Sequence, residues 1–308
     1  MEIEGRKRSE QFEDRGRGAG FAGGGRGGVP IQALFSVLRL LGPKGTVVAM
    51  ALVGVGYFVL PSGVRQQLFG AILGGQRESA SGARGAGSVC GASTSNAKAC
   101  DFSRVVLAST EEVWTSKFQS GLLPRYGREP STYELPTLVV FADSVGTGCG
   151  NATSDVGPFY CPADRKLYID PSFYDVMEKR LRAPGDFAQA YVIAHEVGHH
   201  VQNLIGVTAQ RIKGETKNQN SVRVELQADC FAGVWGHTAR GSLAITDDDL
   251  KEAVDAAHAI GDDTLGHANA DDYTHGTSAQ RMRWFRLGFQ NGDARQCDTF
   301  RVVSYGEL

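Results

Sequence analysis

The sequence has almost no excess of charge: 32 Lys and Arg residues against 34 Asp and Glu residues leave a net charge of −2. A protein that binds nucleic acid over a broad surface usually carries a strongly positive field, so we expect no nucleic-acid partner. With 308 residues, 42% of them hydrophobic, the chain is long enough to bury one good-sized core.

Cysteine is absent from the first 89 residues, and no Cys-x-x-Cys pair occurs in the chain. The missing pair argues against a structural zinc site built from thiolates. An even number of cysteines suits disulfides in an oxidising compartment. Near neighbours are the favoured partners for two pairs, which leaves the remaining two cysteines for each other, although six cysteines permit other pairings. The favoured pairs are Cys90 with Cys100, Cys149 with Cys161, and Cys230 with Cys297.

Regular apolar spacing is missing from residues 1–30, which are rich in glycine and arginine. A segment that cannot bury apolar surface does not fold by itself, so these residues are predicted to be a disordered tail. An Arg/Gly-rich run can contact RNA or anionic lipid, but a plain cytoplasmic tail is the favoured interpretation.

Charged residues are also missing from 45–64, a stretch that is almost wholly apolar. A bilayer core needs about 20 helical residues, so we predict one transmembrane helix here, after a juxtamembrane segment over 31–44. A cleaved signal peptide is the alternative, but no small-x-small cleavage site follows. More Lys and Arg residues precede the stretch than follow it. This asymmetry predicts a single-pass inner-membrane protein with a cytoplasmic N-terminus.

The segments after residue 64 are then expected to lie outside the cytoplasm, in the periplasm of a cell with two membranes. Residues 65–100 are rich in Gly, Ser and Ala and are predicted to be a flexible tether. The catalytic domain is predicted to occupy residues 101–308.

The strongest motif is His-Glu-Val-Gly-His at residues 195–199. On a helix, His195 and His199 lie one turn apart on the same face, so both imidazoles can reach one metal ion. Glu196 then lies about 100° round the helix, where its carboxylate can take a proton from a metal-bound water. Asp186 is the expected N-cap of this helix, and Gly206 its expected end.

A third ligand is needed, because catalytic zinc takes three protein ligands and keeps one position open. The metzincin spacing is excluded, since Ile205 stands where its third histidine would be. A second helix over 222–235 presents Glu225 and Asp229 one turn apart, with alanines beside them that permit close packing. We predict Glu225 as the third zinc ligand and Asp229 as its neighbour that orients a histidine. Two solvated carboxylates are the alternative.

At these residues the chain resembles a known family. H-E-V-G-H-H-V-Q, E-L-Q-A-D-C-F-A-G and H-G-T-S-A-Q-R are similar to segments of the bacterial "putative neutral zinc metallopeptidase" family, whose members are membrane-anchored, and to gluzincins more generally. The resemblance runs from about residue 45 to the C-terminus. It implies that His195, His199 and Glu225 bind zinc, that Glu196 is the catalytic base, and that Asp229 supports a ligand.

The remaining pattern predicts an α+β fold: a mainly helical, zincin-like domain with a small β-sheet. Helical spacing covers 105–118, and helices are also expected over 172–181, 248–260 and 278–291. A strand is predicted over 136–141 and a hairpin over 157–170. An edge strand near Tyr160 or Leu167–Ile169 is the candidate to pair with an extended substrate, with an ordinary internal strand as the alternative.

His275 is the most suggestive histidine outside the motif, because it directly precedes a helix with Thr277 as its cap and Gln280 three residues on. It is a candidate to stabilise the oxyanion of a tetrahedral intermediate, while a surface histidine is the alternative. The function predicted overall is a membrane-anchored zinc endopeptidase that acts on polypeptides. The alternative is a zinc-binding membrane scaffold without peptidase activity.

Overall fold

The computed structural model describes residues 1–18, 87–267 and 269–308. Over these ranges the chain has the predicted α+β character, with helices dominating. No helix within them is long and apolar enough to cross a bilayer. The segments predicted over 31–44 and 45–64, and most of the tether over 65–100, lie outside the described residues.

Six α-helices occur in the described ranges, and those predicted over 172–181, 248–260 and 278–291 are found within two residues of their expected bounds. Three helices begin with a threonine capping box, in which the cap hydroxyl and the third helical side chain exchange hydrogen bonds with the backbone. The helices are α1 Thr94–Gln119, α2 Ser172–Lys179, α3 Asp186–Ile205, α4 Lys217–Ala239, α5 Asp247–Ala259 and α6 Ser278–Asn291.

The strands form a four-stranded sheet in the order β1-β2-β6-β5 and a separate hairpin of β3 and β4. Strands β1, β2 and β6 run parallel, whereas β5 runs antiparallel to β6 and lies at the edge of the sheet. The strands are β1 Phe12–Arg17, β2 Thr137–Ala142, β3 Ser144–Thr147, β4 Gly150–Thr153, β5 Phe159–Cys161 and β6 Lys166–Ile169.

The prediction of a disordered tail over 1–30 is wrong for residues 1–18, and residues 12–17 are strand β1. Polar contacts hold this segment: Arg8 pairs with Asp101, and Ser9 hydrogen-bonds the buried Glu111. A segment held by polar contacts needs no periodic apolar residues. Its composition therefore resembles that of a disordered tail although it is ordered. The tether prediction is also wrong at its end, because α1 begins at Thr94.

Helices α3 and α4 pack closely at a small-residue contact. A Cβ atom placed on Gly198 would lie 3.1 Å from the Cα of Ala228 and 3.3 Å from its Cβ. Gly233 of α4 faces α6 in the same way, since a Cβ atom there would lie 2.1 Å from the carbonyl oxygen of Phe285. These contacts pack α4 closely against both α3 and α6, and the side chains of the candidate site project from these three helices.

All three favoured disulfides are confirmed: Cys90–Cys100, Cys149–Cys161 and Cys230–Cys297. The first ties residue 90 to α1. The second joins the β3–β4 hairpin to β5, and the third ties α4 to the C-terminal segment. Each bond therefore fixes an element that lies on or next to the helices and strands of the candidate site.

Candidate metal centre and cleft

Helix α3 carries the His-Glu-x-x-His motif on a buried stretch of the chain. Its expected end is confirmed, because Gly206 adopts a left-handed conformation (φ 89°) that a glycine accepts easily. The expected cap is wrong: Gly185 occupies the N-cap position without a side-chain cap bond, and Asp186 instead contacts the Met1 ammonium at 3.3 Å. His195 and His199 lie together as predicted, with ring centroids 4.7 Å apart.

Helix α4 brings Glu225 to the same two rings. A carboxylate oxygen of Glu225 lies 3.2 Å from His195 Nε2 and 3.5 Å from His199 Nε2. One donor atom from each residue lies within 4.8 Å of the others. The three predicted ligands are therefore adjacent, although they come from two helices and His195 precedes Glu225 by 30 residues.

The other nitrogen of each imidazole is engaged elsewhere. His195 Nδ1 donates to Asp229 Oδ1 at 2.8 Å, and His199 Nδ1 donates to Gln202 Oε1 at 2.9 Å. Both Nε2 atoms are thus left to face Glu225. Each imidazole is oriented by a hydrogen bond at Nδ1. Together with one carboxylate, the two rings form a set of three donors suited to a zinc ion that keeps one coordination position open.

Asp229 is the centre of a buried polar network. Besides His195, it accepts hydrogen bonds from Tyr191 (2.5 Å) and from two nitrogens of Arg281 (both 2.9 Å). Burial would raise the pKa of Asp229, but the Arg281 guanidinium and the His195 ring together outweigh burial and hold the pKa at about 2. Burial would lower the pKa of His195, but the Asp229 carboxylate together with Glu225 outweighs burial and raises this pKa to about 10. Asp229 is therefore a fixed anion behind His195.

Glu196 lies beside the ligand set but is not one of its members. The side chain is buried, and burial raises the pKa of its carboxyl despite the nearby histidines. The backbone of Tyr160 in β5 hydrogen-bonds this carboxyl. A carboxyl with a raised pKa, at the edge of a candidate metal site, is suited to general base chemistry.

The three donors open into a cleft of about 450 Å³. One wall is β5 with the loop before it, and the other is formed by the ends of α5 and α6 with their connection. Its rim is apolar, since Val156 on the first wall and Leu265 on the second are exposed large hydrophobic residues.

His275 lies on the second wall of this cleft. Its Nδ1 lies 3.2 Å from a carboxylate oxygen of Asp262, which is 2% exposed. The other oxygen of Asp262 accepts the backbone N–H groups of Thr274, His275 and Gly276 at 2.7–3.0 Å. Asp262 therefore fixes both the loop and the ring. The predicted capping box of Thr277 and Gln280 is confirmed.

His200 is buried and has a structural role. Its Nε2 donates to the carbonyl oxygen of Glu134, and its Nδ1 accepts from the Tyr160 hydroxyl at 3.0 Å. Burial lowers the pKa of His200 to about 3, so the ring is neutral. Asn203 donates to the same hydroxyl. These bonds hold the edge strand β5 against the motif helix, beside Glu196.

Comparison with known proteins identifies the family to which the chain belongs. The family model described as "Putative neutral zinc metallopeptidase" matches residues 1–300. The chain belongs to this family. The match begins at the first residue, so it includes the N-terminal segment that contributes β1.

The chain has relatives in Escherichia coli and Mycobacterium tuberculosis. "Uncharacterized protein YpfJ" of Escherichia coli K12 is 50% identical over 214 residues, which are 66% of this chain and 72% of the relative. "Uncharacterized protein Rv2575" of Mycobacterium tuberculosis H37Rv is 43% identical over 215 residues, 64% of this chain and 69% of the relative. No solved structure matches the chain.

Sequence reasoning missed three side chains around this family's motif: Tyr191, Gln202 and Arg281. Tyr191 precedes His195 by four residues on α3, and Gln202 follows His199 by three, so helical spacing is a signal that could have found both. Arg281 reaches Asp229 from a different helix, 52 residues further along the chain. No spacing rule links such a pair.

We expect Asp229→Asn to weaken zinc binding by about 10- to 100-fold, because the amide no longer holds His195 with a full negative charge. The same change leaves buried Arg281 without its anion, which is expected to destabilise the fold by about 3–5 kcal/mol. Zinc titration and thermal unfolding would measure the two effects. Asp255→Asn on the exposed face of α5 is the matched control, and equal behaviour of the two variants would contradict the assignment.

Proposed function

We propose that the protein is a zinc-dependent endopeptidase. The observation that carries this proposal is the convergence of His195, His199 and Glu225, with both Nδ1 atoms engaged and Glu196 beside them in an open cleft. A purely structural zinc site is usually closed by four protein ligands, whereas three ligands with an accessible face are typical of catalytic sites. The zinc itself is inferred from the donor set and the family.

Zinc held by these residues would act as a Lewis acid on a carbonyl group and lower the pKa of a coordinated water to about 7. Glu196 would take the proton as the water attacks the peptide carbonyl, and would then pass it to the leaving nitrogen. Its buried position favours the protonated form after the first transfer. Asp229 would keep His195 oriented throughout, since Arg281 and Tyr191 fix its carboxylate.

His275 is the proposed donor to the developing oxyanion, as its position on the opposite wall of the cleft supports. The Asp262 carboxylate holds Nδ1, so the Nε2–H of the imidazolium form of His275 would be the group that donates to the oxyanion. A donor held in place before reaction stabilises the transition state more than the bound substrate, because it is aimed at charge that appears only there.

The proposed substrate is an extended polypeptide. Edge strand β5 has one side bonded to β6 and is held against α3, and its residues line the cleft. An exposed strand edge can pair with the backbone of another chain, which suits binding without strict sequence preference. The apolar rim at Val156 and Leu265 favours apolar substrate side chains near the cleaved bond.

The proposed location of the catalytic domain is outside the cytoplasm. Its three disulfides support this proposal, because such bonds persist in oxidising compartments. Anchoring to the inner membrane through residues 45–64 stays a prediction from sequence.

The test uses the full chain, purified in mild detergent. We expect about one zinc ion per chain by metal analysis, and cleavage of an unfolded protein that stops on chelation and returns with zinc. Mass spectrometry of the products is expected to show cuts next to apolar residues. Stoichiometric zinc without cleavage of any unfolded protein or peptide library would instead support the non-proteolytic scaffold.

We expect His275→Ala to lower kcat by about 10²- to 10³-fold with little change in KM, because the lost donor acts mainly in the transition state. Zinc content is expected to stay at the wild-type level, since the ring is not in the ligand set. His258→Ala, which removes an exposed histidine of α5, is the control. A kcat equal to that of the control would show that His275 has no role in the reaction.

A further inference from the structure

The N-terminal strand is part of the same sheet as the cleft. Phe12, Glu13 and Asp14 of β1 pair in parallel with Leu138, Val139 and Val140 of β2. Val139 and Phe141 are fully buried, so β2 is an interior strand bonded on both sides. Without β1, the outer backbone groups of β2 would lose their partners.

Asp14 joins the N-terminal segment to residues 88–90. Its carboxylate accepts the backbone N–H groups of Val89 and Cys90, both at 3.0 Å, and the hydroxyl of Ser88 at 2.6 Å. Residues 14 and 88–90 are therefore in direct contact, although Ser88 follows Asp14 by 74 positions in the sequence. Cys90 is in turn bonded to Cys100 of α1.

Helix α1 makes a second set of contacts with the segment. Arg8 forms two hydrogen bonds with Asp101, at 2.9 and 2.6 Å. Ser9 is fully buried and exchanges backbone and side-chain bonds with Arg104. The Ser9 hydroxyl also donates to Glu111, which is 7% exposed. Buried polar contacts of this kind require both partners in one folded unit.

We propose that residues 1–18 occupy the same compartment as the catalytic domain. Strand pairing and the Asp14 contacts cannot form across a bilayer, whose core is about 30 Å thick. The orientation predicted from charge, with a cytoplasmic N-terminus and one crossing before the catalytic domain, is therefore incompatible with this fold within one chain. This inference is independent of peptidase activity.

Cysteine labelling tests the proposal directly, because all six native cysteines are in disulfides. Glu4→Cys and Val303→Cys place single thiols at exposed positions near the two ends of the folded unit. The full-length variants would be treated with a membrane-impermeant maleimide in intact spheroplasts and after permeabilisation. A cytoplasmic protein with a free thiol serves as the control, because it is labelled only if the reagent crosses the membrane.

We expect the two thiols to behave alike: both are labelled in intact spheroplasts, or both are protected until permeabilisation. Labelling of Val303→Cys with protection of Glu4→Cys would overturn the proposal.

A stability measurement gives a second, independent readout. Asp14→Ala removes the acceptor for three donors and is expected to lower the unfolding temperature of the full chain by roughly 2–8 °C. Asp255→Ala, a change at an exposed aspartate of α5, is expected to cause no such fall. Equal unfolding temperatures for the two variants would show that the N-terminal segment is not docked.

Discussion

Glu225→Gln is expected to abolish stoichiometric zinc binding. The change removes the only charged ligand of the inferred set, and the neutral amide that replaces it is a poor partner for a dication at this position. In the zinc-free fold, burial opposes ionisation of Glu225, but the adjacent His199 and His195 outweigh it and keep the pKa of this carboxyl well below its usual value. Zinc would bind this same Glu225 carboxylate in its ionised form.

Metal analysis after dialysis against a weak chelator would measure this effect, with cleavage expected to fall in parallel. Glu178→Gln, on the exposed side of α2, is the control, because it removes a carboxylate that lies outside the candidate site. If Glu225→Gln bound zinc with wild-type affinity, the third ligand would lie elsewhere. His275, on the facing wall of the cleft, would be the first alternative to examine.

Glu196→Gln is expected to show the opposite combination: full zinc content with cleavage reduced by about 10²- to 10⁴-fold, the usual contribution of a general base. Glutamine fills nearly the same volume, so the packing of α3 is expected to survive. Only the ability to accept a proton is lost. Parallel measurement of zinc content and kcat separates this result from that of Glu225→Gln.

Two outcomes would contradict the assigned role of Glu196. Loss of zinc together with activity would place its carboxylate in the ligand set. Wild-type cleavage with wild-type zinc would show that another group takes the proton.

Local patterns predicted much of the fold and of the site. His195 and His199 could be placed on one helical face by their spacing alone, and Glu225 and Asp229 by theirs. The capping box at Thr277 and the end of α3 at Gly206 were also readable, because caps depend on residues a few positions apart. Such features need no knowledge of the rest of the chain.

Features that depend on distant residues were not predictable in this way. The Arg281–Asp229 pair joins two helices, and the Asp14 contacts join segments that are far apart in the sequence. Glycine and arginine in residues 1–18 indicated disorder by composition, yet polar bonds to α1 and strand pairing with β2 order them. Asp186 is not the cap because Gly185 holds that position, and the distant Glu252 accepts the N–H of Phe187 at this helix end.

Gly198, between the two histidines of the motif, contributes no donor atom to the candidate site. A methyl group there would start 3.1 Å from Ala228 Cα, closer than the roughly 3.5–4.0 Å at which carbon atoms pack. Helix α4 would have to move outward by a few tenths of an ångström and carry Glu225 with it. Coordination distances tolerate only about 0.2 Å. In a map of mutational sensitivity, position 198 is therefore expected to rank with the ligands, and the spacing of two helices becomes a determinant of metal affinity in its own right.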